Sequence, residues 1–165
     1  MVRRGEASRL TLSSATAPRA MERHGVPRFG ERVPGVSYVR RPSAYAIIRS
    51  ATGEVAVVRT AAGVFLPGGG MEAGESAEQA VVREVLEECG FAIRLLARLP
   101  GAVEFLHARA ESTYFEKICT FFSAVAEGTQ TRSPESDHEV LWLSSDAAAP
   151  LLSHESHRWA LRSGT

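Results

Sequence analysis

"SAEQAVVREVLEECG", residues 76–90, decides how the chain is read. Ser76 is a good helix N-cap, and Gln79 three positions on completes a capping-box pattern. Ala77, Ala80, Val81, Val85 and Leu86 recur near the helical period and give one apolar face. Gly90 suits the left-handed residue that closes a helix. The stretch therefore predicts a helix over about 77–89. Its last turns carry Glu84, Glu87 and Glu88, three and four positions apart. Like charges at those spacings cost about 0.2–0.5 kcal/mol per pair. Acids near a helix C-terminus also oppose the macrodipole, by about 0.3–1 kcal/mol each. Arg83 can pair with Glu87, but one cation does not balance three carboxylates. The face is either well hydrated or built around something positive.

Upstream, "AYAIIRS" (44–50) and "VAVVRT" (55–60) read as two strands of a hairpin, joined by the turn chemistry of "SATGE". "VFLP" is a short strand stopped by Pro67. Gly68, Gly69 and Gly70 then make a backbone that a ligand can approach closely. Downstream, "AIRLLARLPGAVEFLHA" (92–108) predicts one strand, a turn at Pro100 and Gly101, and a second strand. "YFEKICTFFSAVA" and "HEVLWLS" are further strands. "SSDAAAPLL" starts a helix capped by Ser or Asp, and "SHESHRWALRS" closes the chain as another. Several strands, one central helix and C-terminal helices indicate an α/β (α+β) sandwich with a mixed sheet. Residues 1–35 show no sustained period and read as an N-terminal extension, partly disordered; Met21 is a candidate alternative start. Residues 36–165 form the domain, with order expected from about Tyr38.

The chain of 165 residues is 44% apolar and 23% charged with zero net charge, as for one soluble globular domain. Residues 1–41 hold nine Arg against three acids, so a basic arm exists. A solvated segment accounts for it better than a nucleic-acid contact, and nucleic acid is not the expected partner. Cys89 and Cys119 do not make a disulfide framework. No apolar run could span a bilayer and no secretory signal is visible, so a cytoplasmic protein is expected.

A glycine turn, a capped helix and three carboxylates on one face suggest a divalent cation beside a phosphate site, since Mg²⁺ takes a few hard oxygen ligands and keeps substrate phosphates in its shell. The full spacing is more specific. From Gly69, five residues lead to Glu75; seven more lead to Arg83 and Glu84; Val85, Glu87, Glu88, Gly90 and Phe91 complete the pattern. This resembles, at every fixed position, the signature of the Nudix hydrolase family. The resemblance covers residues 69–91, and the flanking strands are similar to the family's α/β/α sandwich from about Tyr38 to Leu161.

The resemblance implies hydrolysis of a nucleoside diphosphate linked to another moiety, with Mg²⁺ or Mn²⁺. It implies that Glu84, Glu87 and Glu88 bind metal, with Gly68 offering its carbonyl. Gly69, Glu75, Arg83 and Gly90 would shape and brace the site, Arg83 through its planar fork. A carboxylate must take a proton from the attacking water. Glu87 and Glu88 are candidates on the helix. In the later loop, "SPESDHEVLWL", Glu135 and Glu139 are equal candidates, and all of that loop's acids could equally be surface charges. The expected substrate is a nucleoside triphosphate, oxidised ones included. Dinucleoside polyphosphates and nucleotide sugars follow, then a non-catalytic nucleotide-binding domain and an RNA-end processor. A monomer and a homodimer are both compatible. Phe115, Phe121 and Phe122 are read as core, and Tyr45 and Phe65 as core before base-stacking. His138 reads as surface or structural before a substrate contact, Trp142 as packed beneath the later loop, Arg40 and Arg41 as solvated before phosphate contacts. A metal pair at His154 and His157 is the minor reading.

Overall fold

The structure, a computed structural model, describes residues 25–128 and 137–164. Its strands are β1 (Arg28–Phe29), β2 (Val39–Arg49), β3 (Val55–Thr60), β4 (Gly63–Phe65), β5 (Gly68–Gly70), β6 (Ala92–Ala108), β7 (Thr113–Glu127) and β8 (Glu139–Leu143). Its helices are α1 (Ala77–Cys89), α2 (Ser145–Ala148) and α3 (Glu155–Ser163), with one 3₁₀ turn at Arg109–Glu111. The sheet runs β1-β6-β7-β2-β3-β4, with β5 paired to β2 and β8 to β3. β2 and β7 run parallel, as do β1 and β6; the other pairings are antiparallel, so the sheet is mixed.

β2 shows why this is a sandwich. Side chains alternate across a strand. Ala44, Ala46 and Ile48 face one core with Ala80, Val81, Val85 and Cys89 of α1. Tyr45 and Ile47 face a second core with Leu152, Ala160 and Leu161 at the C-terminal helices. Burying an aliphatic side chain of this size is worth about 1.5–3 kcal/mol. The α/β/α sandwich expected from the sequence is the one found.

Helix α1 begins and ends as its residues dictate. Ser76 Oγ accepts from Gln79 N–H at 3.2 Å while Gln79 Oε1 accepts from Ser76 N–H at 2.9 Å. Gly90 closes the helix at φ 74°, its N–H bonded to Leu86 O. Ser144 Oγ likewise caps α2 by accepting from Ala147 N–H at 3.3 Å.

Three expectations change. Pro100 and Gly101 do not separate two strands: β6 is continuous over 17 residues, with its pairing to β7 irregular between Leu95 and Ala97 and between Leu99 and Ala102. A bulge tolerates the missing N–H of proline, and at Gly101 the opposing backbone is close: a Cβ would lie 2.8 Å from Cys119 O. Arg28 and Phe29, upstream of the expected domain start, pair with Val103 and Glu104. Gly68, Gly69 and Gly70 form a strand of their own. Among the described residues no helix is long and apolar enough to cross a membrane. Cys89 and Cys119 are buried thiols without a disulfide.

Candidate active site

β5 carries the glycines to α1. It pairs with β2 through Ser43–Gly70, Ala44–Gly69 and Tyr45–Gly68. A Cβ on Gly69 would lie 2.6 Å from Cδ of Glu84, so a larger residue would drive the helix carboxylate off the strand. Gly68 adopts φ 134°, a region L side chains rarely enter. Its N–H donates to Glu88 Oε2 at 2.9 Å. Gly68 therefore meets the site through its amide; the carbonyl role carried over from the signature is a separate matter.

Arg83 answers part of the charge problem posed by the helix. Its Nε and Nη2 donate to the two oxygens of Glu75 at 2.7 and 3.0 Å, a bidentate pair. Nη2 also donates to Gly70 O at 3.1 Å. Nη1 reaches Glu84 Oε1 at 2.9 Å and Glu87 Oε2 at 3.2 Å. One guanidinium thus ties the loop before α1, strand β5 and two helix carboxylates together. Hydrogen bonds from Arg83, then the Glu72 N–H, hold the Glu75 carboxyl down at about 2. The bond to Glu75 in turn raises the Arg83 pKa above its ordinary value.

Glu88 has contacts of its own. Besides the Gly68 amide it meets His138, whose Nε2 lies 3.6 Å from Glu88 Oε1, while His138 Nδ1 lies 2.9 Å from Asp137 Oδ1. His138, read from the sequence as surface or structural before a substrate contact, is only 14% exposed and sits in this cluster. Glu139 goes elsewhere: its carboxylate accepts from Arg59 across the β3–β8 pair at 3.0 Å and is 59% exposed. Glu135 lies outside the described residues. Among the described residues no three His, Cys, Asp or Glu side chains converge on one point as a metal site requires. The donors are of the hard-oxygen type that suits Mg²⁺, but Glu84 and Glu87 are bent toward Arg83 in this conformation.

Glu88 and Gly68 form one wall of a cavity of about 710 Å³. Phe65, Tyr45 and Phe115 give it aromatic surface, and Arg41, Lys117 and His154 give it polar surface. Its far side is the turn at 107–111. Phe65 and Phe115 thus reach the cavity, whereas Phe121 and Phe122 are buried core on opposite faces of the sheet. Arg40 pairs with Glu116 on the surface, and its neighbour Arg41 turns inward. Trp142 stacks on Phe91 with ring centroids 5.9 Å apart. His157 is fully buried and its Nδ1 accepts from Leu66 N–H at 3.1 Å, a structural bond. Burial holds it neutral, well below its ordinary pKa, with His154 adding to the effect. No sequence spacing marks His138 or Lys117; they reach the site only through strand pairing.

Known proteins share this fold. The family model described as NUDIX domain matches residues 39–162. A curated protein of Bacillus subtilis (strain 168), named "Putative 8-oxo-dGTP diphosphatase", is 42% identical over 66 residues. That match covers 40% of this chain and 44% of the relative, so the chain matches less than half of that protein's length. Among solved structures, the MutT protein from Methanosarcina mazei Go1 is similar with a TM-score of 0.64 at 22% identity, over 77% of this chain and 94% of that one. The MutT NUDIX hydrolase from Burkholderia pseudomallei gives a TM-score of 0.55 at 26% identity, over 77% and 99%.

Proposed function

This chain belongs to the Nudix family, and from that premise we propose that it is a divalent-metal-dependent pyrophosphohydrolase of nucleoside triphosphates, oxidised ones included. The observation that carries the reading is the seating of Glu88: it is bonded to the Gly68 amide and lies on the wall of a nucleotide-sized cavity. The substrate class is supported by the name of the Bacillus relative.

Glu84, Glu87 and Glu88 would hold Mg²⁺ or Mn²⁺. Such an ion, when bound, neutralises phosphate charge and acidifies a water. The rest falls to this chain's own groups. Arg83 holds Glu75 and the Gly70 carbonyl together, which keeps β5 against α1 even when Glu84 and Glu87 turn to a new partner. Arg41, facing the cavity beside β5, supplies positive charge for the phosphates: a Cβ on Gly70 would lie 3.3 Å from its Nε. Glu88 lines the cavity, whereas Glu87 is 40% exposed and does not line it, so we assign proton acceptance to Glu88 ahead of Glu87. Glu139, held by Arg59, is a poor candidate for that role.

The test is a panel of nucleoside triphosphates, oxidised nucleotides, dinucleoside polyphosphates and nucleotide sugars, run with Mg²⁺ and with Mn²⁺, products separated by chromatography. Nucleoside monophosphate and pyrophosphate from a triphosphate is the expected result. A preference for either of the other two classes would move the substrate. No turnover of any compound with either metal would refute the reading.

A further inference from the structure

We propose that Lys117 reads the substrate base: its ammonium donates a hydrogen bond to a ring carbonyl oxygen, so that the cavity selects keto bases over amino bases. The inference rests on the nucleotide reading above and adds the residue that sets its specificity.

Lys117 is the lone lysine of a chain whose other basic residues are arginines, and it stands on β7 with Arg41 of β2 on one side and Glu104 of β6 on the other. Its Nζ lies 3.4 Å from His154 Nε2 and 5.1 Å from the centre of the Tyr45 ring. His154 is set from behind. Its Nδ1 lies 3.6 Å from Glu104 Oε1. Glu104 is 3% exposed and is itself fixed by the N–H groups of Glu155 and Ser156, at 3.0 and 3.2 Å, and by the Ser156 hydroxyl. An imidazole with Nδ1 toward a carboxylate carries its proton there, which leaves Nε2 as an acceptor for the lysine. The chain Glu104, His154, Lys117 thus ends in a cation held at the cavity surface.

The surroundings identify what that cation meets. Arg41 lies by Gly70 of β5, where the phosphates are assigned above, with its guanidinium over Phe115 at 5.2 Å. Lys117 lies over Tyr45, in the same cavity wall as His154 and Phe65, whose rings are 5.0 Å apart. Aromatic walls accept a flat heterocycle. An ammonium has three donors and no acceptor; one is taken by His154 and a face by the Tyr45 ring, so it has donor capacity left. Guanine and uracil present a carbonyl acceptor where adenine and cytosine present an amino donor. A donor facing a donor in a half-buried pocket leaves both unpaired, which penalises the amino bases.

The experiment compares kcat and KM for GTP, UTP, ATP and CTP in wild type, Lys117→Met and Lys117→Arg, with folding checked by circular dichroism and Tm. Wild type is expected to prefer GTP over ATP and UTP over CTP by about tenfold or more, the range of one charged hydrogen bond. Lys117→Met should lower kcat/KM for the keto pair about tenfold more than for the amino pair, chiefly through KM. Lys117→Arg, still a donor-only cation, should retain part of the preference. Equal loss on all four nucleotides would mark a phosphate contact and overturn the proposal, as would a wild type without keto preference. Should wild type hydrolyse none of the four, the wider substrate panel decides the hydrolase reading separately. Calorimetric titration with GMP and AMP then decides for Lys117: a GMP preference lost in Lys117→Met sustains it, and equal affinities overturn it.

Discussion

Glu104→Gln tests the buried scaffold under the site. Glu104 sits on β6 and receives the first amides of α3, the Ser156 hydroxyl and a contact from His154. Burial alone would push its carboxyl up, but hydrogen bonds from His154, Ser156 and Glu155 outweigh it and hold the pKa at about 2, against 4.5 for the free group. The folded value is the lower one, so the stabilisation is fully present above about pH 4.5 and is lost as pH falls toward 2. At about 1.4 kcal/mol per pH unit it is worth about 3 kcal/mol at pH 7. For a chain of this size that is about 6–12 °C in Tm. Glutamine keeps the volume but turns an amino group toward donors. Urea unfolding of both proteins from pH 7 to pH 2.5 is the assay. The variant should be about 3 kcal/mol less stable at pH 7 and converge on wild type between pH 4.5 and 2. Glu75, also held at about 2, titrates in both proteins and cancels in the difference. A stability gap that stays constant over that range would refute the reasoning.

Glu88→Gln should lower kcat by about two to four orders of magnitude while keeping the fold, because the amide carbonyl can still accept from Gly68; unchanged turnover at saturating Mg²⁺ would contradict the site. Millimolar Mg²⁺ should raise the Tm of wild type more than that of Glu87→Gln/Glu88→Gln, and removal by chelator should reverse the gain; equal shifts by differential scanning fluorimetry would speak against binding at these acids. Burial pushes the Cys89 and Cys119 thiols up to about 12 and about 11, so both should resist iodoacetamide at pH 8 until the protein unfolds. Mass spectrometry showing fast labelling of the native protein would overturn that.

Much of the architecture was legible because it is local. The ends of α1 follow from Ser76, Gln79 and Gly90, and its buried face from residue spacing, so both emerge from a window of fifteen letters. The cluster at Arg83 was legible in part: charge arithmetic demanded a cation, but the reach of one guanidinium to Gly70 and Glu75 depends on a loop folding back. β6 was misread because Pro100 and Gly101 carry turn chemistry, and only the facing backbone of β7 converts them to a bulge. His138, Lys117 and Glu104 were illegible. Each gains its meaning from a neighbour brought by sheet pairing or helix docking, and no spacing along the chain records that. The pairing of Glu139 with Arg59 was equally hidden, because the register that aims one at the other is a property of β3 as much as of β8.

The parallel union of β2 and β7 has a kinetic side. Val39 lies against Phe115 and Arg49 against Val125, so the strand that supports both cores finds its principal partner far along the chain. Closing so long a loop costs entropy before any contact repays it, and such topologies fold slowly. On the ribosome, β2, β5 and α1 emerge before β7 exists. The glycine strand and its acidic helix must therefore wait, incompletely supported, until the last third of the chain arrives to lock them.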